Sequence, residues 1–170
     1  MMSNTLLESV VKKNRARLIP FMLALYVLAF LDRSNIGFAK ETYQLDTGLS
    51  NEAYALGAGI FFVVYAFLGV PANLLMRKFG ARRWIGCTTL LWGVLSAAMA
   101  WADTEAKFLL VRTLLGAAEA GFFPGMIYLT SQWFPQQNRA SIMGLFYMGA
   151  PLALTLGSPL SGALLEMHGF

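Results

Sequence analysis

"AYALGAGIFFVVYAFLGVPANLLM", from Ala53 to Met76, carries no charged side chain. A bilayer core about 30 Å thick is crossed by about 20 apolar residues in a helix, so this stretch by itself is long enough to span one. Its surroundings read the same way. The chain of 170 residues is 57% hydrophobic and 13% charged, with a mean hydropathy of +0.57, whereas soluble domains carry about 25% charged residues. Working outward from Ala53, apolar stretches fall at about 18–38, 54–76, 84–102, 108–131 and 140–165. The composition therefore predicts an all-α, polytopic membrane helical bundle, with a segment 1–17 ahead of a transmembrane bundle over 18–170.

The charges between these stretches alternate in sign. Residues 1–17 are net +3, the connection with Lys40, Glu41, Asp46 and Glu52 is −2, and Arg77, Lys78, Arg82 and Arg83 give +4. Asp103, Glu105 and Lys107 then sum to −1, Arg139 gives +1 and Glu166 gives −1. Basic connections stay on the cytoplasmic side, so the N-terminal segment is expected in the cytoplasm. The same alternation disposes of nucleic acid as a partner: the net +4 and the pI near 9.4 come from dispersed topological charges, not from a patch. Residues 1–17 are polar and amphipathic, and no small-residue cleavage site follows the first apolar run, so no cleavable signal is expected.

Catalytic chemistry finds no foothold. No nucleophile and base pair, metal spacing or phosphate loop is visible, so neither an enzyme nor a bound cofactor or metal is expected. His168 has no second ligand type near it, which argues against a metal role. The lone Cys87 reads as a buried packing residue. Gly57, Gly59, Gly116, Gly144, Gly149, Gly157 and the Gly121-Phe-Phe-Pro-Gly125 run supply flat spots where helix backbones can approach, and Pro124, Pro151 and Pro159 predict kinks. A faint repeat relates Asn51–Gly57 to Asn138–Gly144, as inverted three-helix repeats do in many carriers. Five crossings would then be three helices plus two of the next three, with further chain needed to close a carrier.

Four ionisable residues lie inside the spans: Asp32 and Arg33 in the first, Arg112 and Glu119 in the fourth. Each costs about 2.5–3.5 kcal/mol at a helix centre, and such residues face a bundle interior or a water-filled cavity. At 1.5 Å per residue, Asp32 lies about 21 Å along its span, Arg112 about 6 Å and Glu119 about 16 Å along theirs. With the two spans running in opposite directions, one face of each helix can line a common polar site. Static ion pairing between the helices is the plain alternative. The functional reading is that buried carboxylates exchange protons while neighbouring cations await an anion. Tyr65, near mid-span, serves either a polyhydroxy substrate or aromatic packing. Asn73 is expected in a helix-to-helix hydrogen bond.

Four motifs in order now make a resemblance. Leu31-Asp-Arg-Ser-Asn-Ile-Gly-Phe38, Pro71-Ala-Asn-Leu-Leu-Met-Arg-Lys-Phe-Gly-Ala-Arg-Arg83, Arg112-x6-Glu119-Ala-Gly-Phe-Phe-Pro124, and Trp133-Phe-Pro135 followed by Arg139-Ala resemble the major facilitator superfamily, and within it the anion:cation symporter family. The resemblance covers the whole chain. It implies a twelve-helix fold of which this chain is the first five helices, in the N-terminal half. It also implies proton-coupled uptake of a small organic anion, such as a sugar acid of the aldonate type, in a bacterial inner membrane. Carried over, Asp32 and Glu119 handle protons, Arg33 and Arg112 bind the substrate anion, with Arg112 coupled to Glu119, and Tyr65 contacts the substrate. Protons are the coupling ion, and the partners are the anion, the lipid bilayer and the rest of the carrier. Arg77 stands where the superfamily pattern has an acid, which removes an acid-based gating lock at that position. Two rivals remain: a metabolite or drug antiporter of the same superfamily, and a truncated membrane fragment that transports nothing alone.

Overall fold

The computed structural model describes the backbone of residues 2–167 and the side chains of residues 8–164 and 167; His168 lies outside the described residues. The described chain is helical throughout: α1 (Met2–Phe38), α2 (Lys40–Thr47), α3 (Asn51–Phe79), α4 (Ala81–Ala98) followed by a 3-10 turn (Met99–Trp101), α5 (Glu105–Glu119), α6 (Phe122–Trp133), α7 (Gln136–Tyr147) and α8 (Gly149–Met167). Five stretches among the described residues are long and apolar enough to cross a membrane: Glu8–Phe38, Asn51–Phe79, Ala81–Trp101, Glu105–Trp133 and Gln136–Leu164. Large apolar side chains at the surface, such as Phe67 (79% exposed) and Leu90 (74%), are what a bundle solvated by lipid presents and what a water-soluble one of this size avoids.

Spans four and five are each built from two helices. Span four is interrupted at Ala120–Gly121, between α5 and α6, and span five at Met148, between α7 and α8. Both interruptions lie just ahead of an expected kink residue, Pro124 or Pro151. The third, Pro159, lies within α8 without interrupting it. Pro20 and Pro71 likewise leave α1 and α3 unbroken.

The chain divides into two compact units, one formed by the described residues up to Asn35 and from Met126 onward, the other by Ile36–Gly125. In the second unit the central feature is the pair α3 and α5. Gly116 lies so close to α3 that a Cβ there would sit 2.5 Å from the Phe61 carbonyl oxygen, and a Cβ on Gly57 would meet the Phe108 ring at 2.2 Å. Hydrogen side chains let backbone meet backbone at Gly116 and let the Phe108 ring reach the backbone at Gly57, the close approach by which helices associate where no water is present to drive them together. Gly121 is held against Ala72 and Trp84, and Gly125 against Met76, so the expected small-residue run is used. Gly59 and Gly144 instead face open space.

One end of this unit is acidic and well capped. Ser50 caps α3 by accepting from Ala53 N–H at 3.1 Å, and its hydroxyl donates to Glu105 at 2.7 Å, while Thr104 caps α5 by accepting from Lys107 N–H. Side-chain oxygens thus meet orphan N–H groups at two helix starts, with Glu105 complementing the positive end of its own helix. The Tyr43 hydroxyl of α2 donates to the Ala102 and Met99 carbonyls, at 2.7 and 3.2 Å. Burial, followed by the nearby charge of Asp103, pushes the Tyr43 phenol up. A hydrogen bond from Lys107 is the first cause holding the Asp103 carboxyl below its usual range. The other end is basic. Arg77 and Lys78 close α3, Gly80 at φ +85° makes the turn, and Arg82 and Arg83 open α4. Cations at a helix start oppose the dipole, so Arg82 and Arg83 do not stabilise the helix they open.

In the first unit α1 packs against span five. Tyr26 stacks on Phe146 at 4.4 Å between ring centroids, and Gly149 sits under the Tyr26 ring. Arg139, in α7, donates to the Ser131 and Phe134 carbonyls at 2.7 and 2.9 Å, satisfying the last acceptors of α6 where that helix ends. Cys87 is exposed, not the buried packing residue expected, because it lies on the part of α4 turned away from its neighbours.

Candidate functional site

The charged residues of α5 follow its buried stripe. Phe108, Arg112, Leu115 and Glu119 are spaced as successive turns of one face, and all four are buried, Arg112 to 2% exposure and Glu119 to 1%. A helix with charges on its lipid face would forfeit several kcal/mol per charge; α5 places both inside. Thr104 starts the helix and the break at Ala120 ends it, so Glu119 is its last residue, directly beside the interruption of span four.

Arg112 is held from α3. Its Nε–H donates to the Gly57 carbonyl at 3.2 Å and its guanidinium lies 4.5 Å from the centroid of the Phe61 ring, within cation–π range. Tyr65 continues this stack, its ring 6.0 Å from that of Phe61 and tilted by 18°. Gly57, Phe61 and Tyr65 recur every four residues, so one face of α3 supplies a carbonyl, an aromatic platform and a phenol in order. Phe61 and the Gly57 carbonyl escaped the sequence reading. The available signal was the four-residue spacing of Phe61 from both Gly57 and Tyr65.

Below Tyr65 the same unit carries a cleft of about 320 Å³, lined by Tyr65, Asn73 and Arg77 of α3 and by Phe123 and Pro124 after the break in span four. The Asn73 Oδ1 is buried and has no hydrogen-bond partner among the described residues; the helix-to-helix bond expected of it is not made there. The cleft wall here comes from the interrupted segment, which brings the apolar Phe123 and Pro124 and no donor side chain.

Asp32 and Arg33 belong to the other unit. Both are half-buried in α1, which runs through them without a break. Next to them, Ser34 donates to the Phe30 carbonyl at 2.6 Å, and Asn35 accepts from Ser161 of α8 at 3.0 Å. The predicted residues thus fall into two groups, Arg112, Tyr65 and Glu119 on α3 and α5, and Asp32 with Arg33 on α1.

Comparisons with known proteins agree on the kind of molecule. The chain is 92% identical to the inner membrane transport protein RhmT of Escherichia coli (strain K12) over 99% of its length, covering 39% of that protein. It is 50% identical to a candidate tartrate transporter of Agrobacterium vitis, over 98% of this chain and 37% of that one. It is 45% identical to a quinolone resistance transporter of Acinetobacter baumannii, over 95% of this chain and 37% of that one. The chain therefore spans less than two-fifths of the length of these relatives. Among solved structures, a bacterial homologue of the human lysosomal transporter Spinster, in an inward-facing and occupied conformation, matches with a TM-score of 0.82 at 22% identity, over 88% of this chain and 32% of that one; this likeness is one of fold. The family model of the Major Facilitator Superfamily matches residues 22–170, and the chain, an all-α bundle of long apolar helices, belongs to that superfamily.

Proposed function

We propose that this chain is the N-terminal part of a proton-coupled secondary carrier of a bacterial inner membrane, with its N-terminus in the cytoplasm, that takes up a small organic anion. The anion is a sugar acid such as an aldonate, L-rhamnonate among them. The observation that carries the reading is the pair of ionisable side chains, Arg112 and Glu119, buried on the inner stripe of a membrane helix, in a chain that also places Asp32 and Arg33 within a span. The RhmT name supports the membrane, and the tartrate assignment of a relative supports a hydroxylated carboxylate as cargo.

In this mechanism the acids are protonated when the site opens outward. Neutral Asp32 and Glu119 leave the charges of Arg33 and Arg112 less compensated, and an anion restores the balance. Arg33 attracts the substrate carboxylate, while Arg112, anchored on Phe61 and Gly57, acts on the anion and on Glu119 from a fixed position. Tyr65 offers its phenol to the substrate. The loaded carrier rocks and releases inward, the remainder of the polypeptide closing the site. With more than one proton per anion, uptake gains about 2.3 kcal/mol per net charge for each 100 mV, inside negative.

Uptake of labelled aldonates and aldarates by the full-length carrier, measured against external pH and with a proton ionophore, tests this. Acid-stimulated, ionophore-sensitive uptake that falls at least tenfold in Asp32→Asn and in Arg33→Ala is expected. Uptake indifferent to the ionophore refutes proton coupling, and full activity in both variants refutes the assigned roles. The likeness to a quinolone resistance transporter favours a second reading, an antiporter. Quinolone accumulation by everted vesicles, without aldonate uptake by intact cells, would select it.

A further inference from the structure

Five hydroxyls within the spans return to the carbonyl one turn back in their own helix. Ser34 donates to Phe30 O, Thr88 to Trp84 O, Thr113 to Leu109 O, Thr130 to Met126 O and Thr155 to Pro151 O, all at 2.6–2.9 Å. The carbonyl one turn back is the nearest acceptor for a hydroxyl in apolar surroundings. Ser161 departs from this habit. Its Oγ crosses from α8 to α1 and donates to Asn35 Oδ1 at 3.0 Å, and both residues lie in the same compact unit.

That bond orients an amide. A carboxamide has an acceptor and a two-hydrogen donor on one planar group, so anchoring Oδ1 on Ser161 turns Nδ2 the other way. Asn35 is exposed, and no acceptor among the described residues meets Nδ2. It follows Asp32 by three residues and so shares its helix face, one turn further along α1. The chain therefore presents two fixed N–H donors beside a half-buried carboxyl group, with a second helix holding them in place. An amide donor held in this direction matches an oxygen of an oxygen-rich ligand.

We propose that Asn35 Nδ2 is a hydroxyl-reading contact: it donates to a hydroxyl oxygen of a polyhydroxylated carboxylate bound next to Asp32, and Ser161 is the positioning residue that keeps the amide turned outward. This rests on the sugar-acid reading above and assigns it a selectivity element. A site that hydrogen-bonds a substrate hydroxyl discriminates against the analogue that lacks it, whereas a residue that only ties α1 to α8 affects both ligands alike.

The test uses the full-length carrier with a labelled aldonate and a set of its monodeoxy analogues, comparing wild type, Asn35→Ala and Ser161→Ala at matched membrane abundance. For the wild type, one monodeoxy analogue is expected to have a KM about tenfold above that of the parent acid. In Asn35→Ala the parent KM rises about tenfold with maximal rate within twofold, that analogue is unaffected, and the preference disappears. Ser161→Ala shifts the parent KM in the same direction by about threefold. If Asn35→Ala does not accumulate, Ser161→Ala carries the same ratio measurement. A preference unchanged in the variants overturns the assignment of Asn35 while leaving the carrier reading intact. Absence of aldonate uptake by the wild type overturns the carrier reading, and the contact with it.

Discussion

Gly69-Val-Pro71 and Gly149-Ala-Pro151 have the same glycine and proline spacing, yet α3 runs straight through the first and span five is interrupted at Met148 just ahead of the second. A proline removes the hydrogen bond to the carbonyl four residues earlier and presses its ring against that carbonyl. Local chemistry is the same in both places, so the difference lies in what surrounds the glycine. A Cβ on Gly69 would meet only the Ala120 carbonyl, at 3.5 Å, whereas one on Gly149 would sit 2.6 Å from Tyr26 Cδ1 and 3.2 Å from Leu23 Cδ1. In span five a neighbouring helix pushes into the backbone, and the chain yields where proline has already removed a bond. Met148 N–H then reaches back three residues, to Leu145 O at 3.3 Å. Span four repeats the lesson. Gly121 is crowded by Ala72 and Trp84, at 2.8 and 3.1 Å from an added Cβ, and the helix breaks there, ahead of Pro124.

Proline thus makes an interruption possible and tertiary pressure decides whether it occurs. The heaviest test adds a methyl where pressure comes from backbone. Gly116→Ala would place Cβ 2.5 Å from the Phe61 carbonyl; backbone cannot step aside as a side chain can, so α3 and α5 must separate. The expected loss is at or above about 3 kcal/mol, the upper end of ordinary overpacking, visible as a collapse of the detergent-solubilised unfolding midpoint. A midpoint equal to wild type would mean that the helices are not in backbone contact.

Gly149→Ala is expected to cost about 1–3 kcal/mol, less than Gly116→Ala because the obstacle is a ring. Tyr26→Leu in the same chain should recover most of that loss when a double-mutant cycle is measured; simple additivity of the two changes would remove Tyr26 as the source of pressure. Pro151→Ala restores a donor for the Tyr147 carbonyl. If crowding at Gly149 is decisive, stability changes by less than about 1 kcal/mol, and amide exchange at Met148 and Gly149 stays fast. A protected, continuous helix across Met148 would give the decision to proline alone. Gly69→Ala has the smallest effect, from neutral to a gain of about 1 kcal/mol, because alanine is the better helix former and 3.5 Å is ordinary contact.

The legible parts of the sequence were those that depend on one residue at a time. Charge-free length such as Ala53–Met76 identifies membrane helices because no backbone polar group can be left unpaired in lipid. The intramembrane charges stood out because each is expensive in that solvent. Arg112 and Glu119 were legible for this reason, but not the Phe61 ring and Gly57 carbonyl that hold Arg112, since an aromatic in a membrane helix has many ordinary uses. Asn73 and Cys87 show the opposite failure. Their types suggested a hydrogen bond and a buried thiol, and helix rotation gave one an unpartnered oxygen and the other an exposed face.

By itself, then, the sequence determined the number of apolar spans, the sign of each connection and which side chains are too costly to face lipid, because solvent transfer acts on composition and needs no knowledge of neighbours. Only the tertiary structure decided which glycines are contacts, which prolines end a helix, and which way the Asn35 amide turns. Those depend on the distance to an atom far away in the chain, and a change of a few tenths of an ångström in that distance reverses the outcome.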